Sequence, residues 1–245
     1  MPQLDLAQLF ASVARSAAQD RPYLNDLDDV GDGDAGDNYH ANMQLVADTL
    51  QRQLQGGRGD VGQALLSASQ ALRSDGKGAT APIYAAGLAD AGRELLGRTG
   101  LSLTDLLPLL EGLLRGAQGT TGSLPQGSGG LLDALVPGVL GYLDAKRRGA
   151  SDADALLDAL TGARQGTYST RRQSPQVPSF GQRDTTGQID PGAAGIGSLF
   201  EGLLRGLMQQ QSQPQTQPDP AARPQQERPP TPGRVPYKPQ GGIDV

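Results

Sequence analysis

The residues best suited to chemistry lie in one short acidic loop, Gly31-Asp32-Gly33-Asp34-Ala35-Gly36-Asp37-Asn38, inside the stretch from Leu24 to Met43. Carboxylates a few ångströms apart raise one another's pKa unless a cation sits among them, so the loop suits a hard divalent metal. Spacing excludes a calcium EF-hand. A count from Asp32 puts Gly36 at position five and Met43 where the closing glutamate belongs, and a count from Asp28 puts Val30 at position three. A few carboxylates that cannot fill a calcium shell fit magnesium, which keeps water and shares its other positions with phosphate oxygens. The plainer alternative is a solvated Asp/Gly turn.

Helices must position this loop. Leu6, Leu9, Phe10, Val13 and Ala17 recur at helical spacing and predict a first helix over residues 4–18; Met43, Val46, Ala47 and Leu50 predict a second from about 38 to 54. The second begins at the acidic loop, which aims its first-turn N–H groups and positive dipole end at that loop and favours phosphate there. Gly56-Gly57-Arg58-Gly59 breaks the chain, and Asp60 caps a third helix through about Leu72. Ser74 to Tyr84 is a second glycine turn, opening a helix to about Leu96. Small residues and the Thr80 hydroxyl at that helix start let backbone amides approach phosphate, although G-x-x-x-x-G-K-[ST] is absent. A leucine-rich helix is expected over 106–114, one opened by Ser151 and Asp154 carries Leu156, Leu157, Leu160 and Ala163, and a last one runs from Gly195 to Gln210. His40, the only histidine, has no identifiable partner and is taken as structural or exposed.

With no tryptophan, three phenylalanines and 36% hydrophobic residues, the core must be leucine, alanine and valine, which suits packed helices better than strands. A net charge of −5 without a basic block argues against nucleic acid. The absence of cysteine excludes disulfides and thiolate metal sites. No stretch reaches the roughly 18 apolar residues of a membrane span, and the N-terminus lacks the features of a signal peptide, so a cytoplasmic location is expected. From Gln211 onward proline, glutamine and glycine dominate, predicting a helical domain over 1–210 and a disordered tail over 211–245 that could bind an unknown partner.

Leu24-Asn25-Asp26-Leu27-Asp28 followed by the acidic loop resembles the L-N-x-L-D and G-D-G-D-x-G-x-N signature of the dihydroxyacetone kinase nucleotide-binding (DhaL-like) family. Gly78, Ala79, Thr80, Pro82 and Tyr84 resemble its second phosphate loop, G-[AG]-S-G-P-L-[FY], with Ala81 in place of the second glycine. Leu131 to Pro137 is similar to its M-L-D-A-L-x-P, but Gly127-Ser128-Gly129-Gly130 stands where the family has G-D-K-T. Arg164 to Arg172 resembles R-K-G-R-A-S-Y-L-G-E-R, with the family's nucleotide-contacting arginine at Gln165 and Arg164 beside it, and Asp190-Pro191-Gly192-Ala193 matches D-P-G-A. Without the resemblance, Arg164, Arg171 and Arg172 would pass equally for a solvated basic cluster.

The resemblance implies an all-α fold, an antiparallel barrel of eight helices with nucleotide bound by inter-helix loops at one end. It implies Asp28, Asp32 and Asp34 as ligands of Mg2+, two ions in the family. Only Asp29 and Val30 separate the L-D pair from the G-D-G-D run here, one fewer than in the family, so Asp29 or Asp26 could replace Asp28. ADP or ATP would then meet Ala35, Gly36, Asp37, Asn38, Gly78, Ala79, Thr80, Leu131, Arg164, Arg172, Asp190, Pro191 and Gly192. The implied activity is phosphotransfer to a small acceptor such as dihydroxyacetone, with an acceptor-binding kinase subunit or a phosphoryl-donor protein as partner. Ala35 and the Gly129-Gly130 replacement favour an alternative, a catalytically degenerate nucleotide or metal scaffold.

Overall fold

The computed structural model describes residues 3–28, 32–55, 59–102, 105–106, 109–110, 112, 137–138, 140–142, 144–169, 187, 189 and 191–212. Leu131, Arg172, Asp190 and the predicted tail from 213 onward lie outside them. The described residues belong to one compact unit, Met1–Ser212.

The fold is all-α, as expected. Six continuous helices are α1 (Leu6–Leu27), α2 (Ala35–Gln53), α3 (Val61–Asp75), α4 (Ala81–Glu94), α5 (Asp152–Ser169) and α6 (Pro191–Ser212). Helical residues recur in two further stretches, at 106, 109–110 and 112 and at 137–138, 140–142 and 144–147. No strand occurs among the described residues; the Leu4 N–H donates to the Leu101 carbonyl at 2.7 Å in an isolated bridge.

Apolar spacing selected the buried faces correctly. Leu6, Leu9, Phe10, Val13 and Ala17 of α1 and Met43, Val46, Ala47 and Leu50 of α2 are all buried. The ends of the helices moved. α1 continues nine residues past the expected end at 18, through Pro22, because Leu24 is fully buried and its packing outweighs the lost backbone hydrogen bond. α2 starts at Ala35 rather than 38, and α6 runs from Pro191 rather than Gly195 to Ser212, two residues past the expected domain boundary at 210. The capping box at α5 is as predicted: Ser151 Oγ donates to Asp154 Oδ2 at 2.7 Å and accepts from the Asp154 N–H at 3.2 Å.

The register makes neighbours antiparallel. On α1 and α6, Leu9 lies against Gly206 and Val13 against Gly202, so positions rise on one helix as they fall on the other. Between α3 and α4 the same holds for Gly62 with Gly92 and Gly76 with Ala81. α2 and α3 pair Asn42 with Lys77 near one end and Gln53 with Gly59 at the other. α1 packs on both α2 and α6, so the last helix returns to the first. Short connections and alternating direction leave α2, α4 and α6 parallel, with their N-termini at one end.

Candidate metal and phosphate site

The last turn of α1 and the first turn of α2 bracket the acidic loop. Asp28 is the C-cap of α1, its N–H bonded to the Asn25 carbonyl at 3.0 Å, and Asp34 is the N-cap of α2. Gly33 turns the chain between Asp32 and Asp34 with φ of +72°, a conformation that costs glycine nothing. The result is a single acidic group among the described residues able to hold a metal: Asp28, Asp32 and Asp34 each offer a carboxylate oxygen, all within 4.8 Å of one another. Asp28 is buried, Asp34 half-buried and Asp32 exposed. Asp26, the alternative ligand, is exposed and not in this group, and Asp29 lies outside the described residues.

Hard carboxylate oxygens fit magnesium, whose ligand oxygens at about 2.1 Å sit roughly 3 to 4.2 Å apart. Three carboxylate oxygens within 4.8 Å of one another are close enough to serve such an ion together. The charges are already in conflict. A side-chain hydrogen bond from Asp34 holds the Asp32 carboxyl below its ordinary value. Burial, then the same hydrogen bond and the charges of Asp32 and Asp37, push Asp34 up, with the Asn38 amide opposing. Neighbouring carboxylates that disfavour one another's charge in this way favour a cation among them.

Asp34 also declines the usual task of its position. Asp5 and Asp60 cap their helices by accepting from the Gln8 and Gln63 N–H groups, each at 3.0 Å. Asp34 makes no such bond; it accepts instead from Asn38 Nδ2 at 2.6 Å and stays turned to its acidic neighbours. The cap comes from α1. Asn25 Oδ1 accepts from the Gly36 N–H at 2.7 Å and the Asp37 N–H at 3.1 Å, while Asn25 Nδ2 donates to Asp37 Oδ2 at 2.9 Å. Two of the amides expected to face phosphate are therefore taken by Asn25. Gly36 permits the approach, since a Cβ there would lie 2.0 Å from the Arg21 carbonyl oxygen. Thr80, at the start of α4, likewise leaves its hydroxyl out of the cap.

The second loop sits directly on the first. Asn42, wholly buried one turn along α2 from Asn38, donates from Nδ2 to the Lys77 carbonyl at 2.8 Å and accepts the Lys77 N–H at 2.7 Å. The next residue, Gly78, has φ of +68° and faces the Asn38 side chain. The end of α6 completes the group. A Cβ on Gly195 would lie 3.2 Å from Tyr84 Oη and 3.6 Å from the Tyr39 ring, and those two rings are 5.8 Å apart. Pro191 and Gly192 open α6 within a turn of that contact.

Asp28, Asp32, Asp34, Ala35 to Asn38, Gly78 to Thr80, Pro191 and Gly192 thus share one end of the helices, with three helix N-termini. Arg164 Nε pairs with Glu201 Oε2 at 3.4 Å, and Glu201 lies roughly 9 Å along the α6 axis from Gly195. Asn25 and Asn42 position the site without being candidate ligands in the sequence; Asn25 is the asparagine of the L-N-x-L-D run, and Asn42 is signalled only by following Asn38 by four residues.

The family model of the DAK2 domain matches residues 29–205, which leave out Asn25 and Asp28 among the described residues of the site. Among solved structures, that of the dihydroxyacetone kinase of C. freundii (native form) is similar, with a TM-score of 0.51 and 21% identity over 81% of this chain and 34% of that one. The chain thus spans about a third of the length of that kinase, and at this identity the likeness concerns the fold. No curated protein gives a match.

Proposed function

We propose that this chain, which belongs to the DAK2 domain family, is a DhaL-like nucleotide-binding component of a kinase, holding Mg-ADP or Mg-ATP for phosphoryl transfer to a small acceptor such as dihydroxyacetone. The acceptor is assigned to a partner protein, as the likeness to the dihydroxyacetone kinase family suggests. One observation carries the reading: an acidic trio with oxygens within 4.8 Å stands where the N-termini of α2, α4 and α6 converge.

Asp28, Asp32 and Asp34 would hold magnesium, which when bound neutralises phosphate charge and orients the transferred group. Asn38 keeps the Asp34 carboxylate aimed at its neighbours instead of at the helix it precedes. Gly78 and Ala79, without bulky side chains, allow close approach of a phosphate to the backbone, and the Thr80 hydroxyl, left out of the cap, is a donor at the start of α4. The convergent helix dipoles add positive potential at the same end.

A second reading, a scaffold that holds nucleotide without transferring phosphate, is favoured by Asn25, which takes the Gly36 and Asp37 amides. Calorimetric titration with ADP, with and without magnesium, tests both. Magnesium-dependent binding that is lost in Asp32→Ala/Asp34→Ala is the expected result, and a folded native chain that binds no ADP refutes both readings. Tight binding with no transfer to any acceptor, partner proteins included, selects the scaffold.

A further inference from the structure

Asn42 is fully buried on the face of α2 that otherwise buries Met43, Val46 and Leu50. An amide there is costly unless its hydrogen bonds are met. Both its polar atoms are met by one residue, Lys77, 35 positions away: Nδ2 donates to the Lys77 carbonyl at 2.8 Å and Oδ1 accepts the Lys77 N–H at 2.7 Å. A backbone held at both its donor and its acceptor cannot rotate as one held at a single point can. The Lys77 carbonyl also belongs to the planar trans peptide that carries the Gly78 N–H. Fixing the carbonyl toward Asn42 therefore directs the Gly78 N–H to the opposite side. One turn along, Asn38 touches Gly78 and holds Asp34, so a single face of α2 carries both ties between the two loops.

We propose that Asn42 is a positioning residue for the second loop, setting nucleotide affinity from inside the fold without touching nucleotide or metal. This rests on the reading of this end as a magnesium–nucleotide site. The Asn42–Lys77 pair keeps Lys77 and Gly78 in the phosphate-admitting conformation before any ligand arrives, so the ordering cost is already met when nucleotide binds.

The test uses the full chain, Asn42→Leu, which keeps the volume without the hydrogen bonds, and Asn42→Ser as a milder variant. Mn2+ alone, followed by electron paramagnetic resonance, reads the aspartates; calorimetry with Mg-ADP reads the complete site; amide exchange without ligand reads Lys77. Asn42→Leu is expected to weaken Mg-ADP about tenfold, leave Mn2+ affinity within about twofold and accelerate exchange at Lys77 while Leu72 stays protected. Asn42→Ser should shift the same three readings in the same directions, and carries the test should the leucine variant not fold. A folded variant that binds Mg-ADP like the native chain, or that loses Mn2+ affinity in equal measure, overturns the positioning role. So does an unprotected Lys77 amide in the native chain. A native chain that binds neither Mn2+ nor Mg-ADP overturns the nucleotide reading instead, and Lys77 exchange still decides whether Asn42 holds the loop.

Discussion

The side chain of Asn38 occupies the space that a Cβ on Gly78 would need: such an atom would lie 2.9 Å from Asn38 Nδ2 and 3.2 Å from its Cγ. That same Nδ2 donates to Asp34 at 2.6 Å. The second loop and the acidic trio are thus in contact through one amide.

Gly78→Ala should disturb both loops at once. The φ of +68° disfavours any L side chain, and the new methyl would push Asn38 off Asp34. The expected cost is about 1 kcal/mol or more in chemical denaturation, with weaker Mg-ADP binding by calorimetry. An unchanged denaturation midpoint and affinity would show that this contact is dispensable.

Asp34→Asn is expected to stabilise the ligand-free chain while removing any gain from magnesium. The raised pKa of Asp34, caused first by burial and then by Asp32, means that its ionised form is disfavoured in the fold. Neutralising it removes that penalty, so the ligand-free variant should be the more stable of the two. Thermal melts with and without magnesium check the sign. Native protein should melt higher with the ion, by mass action, and the variant should not.

The acidic trio was legible because its three aspartates lie within a few residues of one another, where spacing and the family resemblance both operate. Asn25 and Asn42 were not, because their partners are tertiary. Asn25 stands in the L-N-x-L-D run, but the helix it caps begins beyond the loop, and Asn42 serves a backbone 35 residues away, so neither role is written in a local pattern. The extra turns of α1 were hidden for another reason. Gln19, Asp20 and Arg21 interrupt the apolar spacing and Pro22 signals a break, yet Leu24 packs into the core and carries the helix to Leu27, which places Asn25 and Asp28 at the site. Arg164 stands in a family-like run, and its pairing with Glu201 on α6 is likewise a tertiary contact that spacing does not reveal.

Asp60 offers a pH test away from the site. Its carboxylate accepts from the Gln63 N–H at 3.0 Å and the Gly97 N–H at 2.9 Å, and these bonds, Gln63 first, lower its pKa below 3.8. A carboxylate with a lowered folded pKa contributes stability that is present above its unfolded value and lost as pH falls through the folded one. Asp60→Ala should therefore cost about 1 kcal/mol at neutral pH. The gap between native and variant should narrow once pH drops below 3.8. Urea denaturation at several pH values measures this, and a gap independent of pH would mean that the charge on Asp60 contributes nothing.

Asn25→Ala separates the two duties of the α1–α2 corner. Asn25 Oδ1 is the acceptor for the first-turn amides of Gly36 and Asp37, and its Nδ2 orients Asp37, which also pairs with Arg21 at 3.3 Å. Removing the side chain leaves a partly buried Gly36 N–H without its acceptor, a loss of about 1–2 kcal/mol in denaturation. It also exposes two amides at the positive end of α2, beside the acidic trio. If Asn25 restrains phosphate binding there, as the scaffold reading holds, the variant should bind Mg-ADP more tightly despite being less stable. If Asn25 is needed to hold α2 against α1, so that Asp34 stays within 4.8 Å of Asp28 and Asp32, affinity for Mn2+ and for Mg-ADP should fall together. The proposed kinase role expects the second outcome, because the Gly36 backbone packs against Arg21 and, among the described residues, Asn25 is the side chain that accepts its N–H.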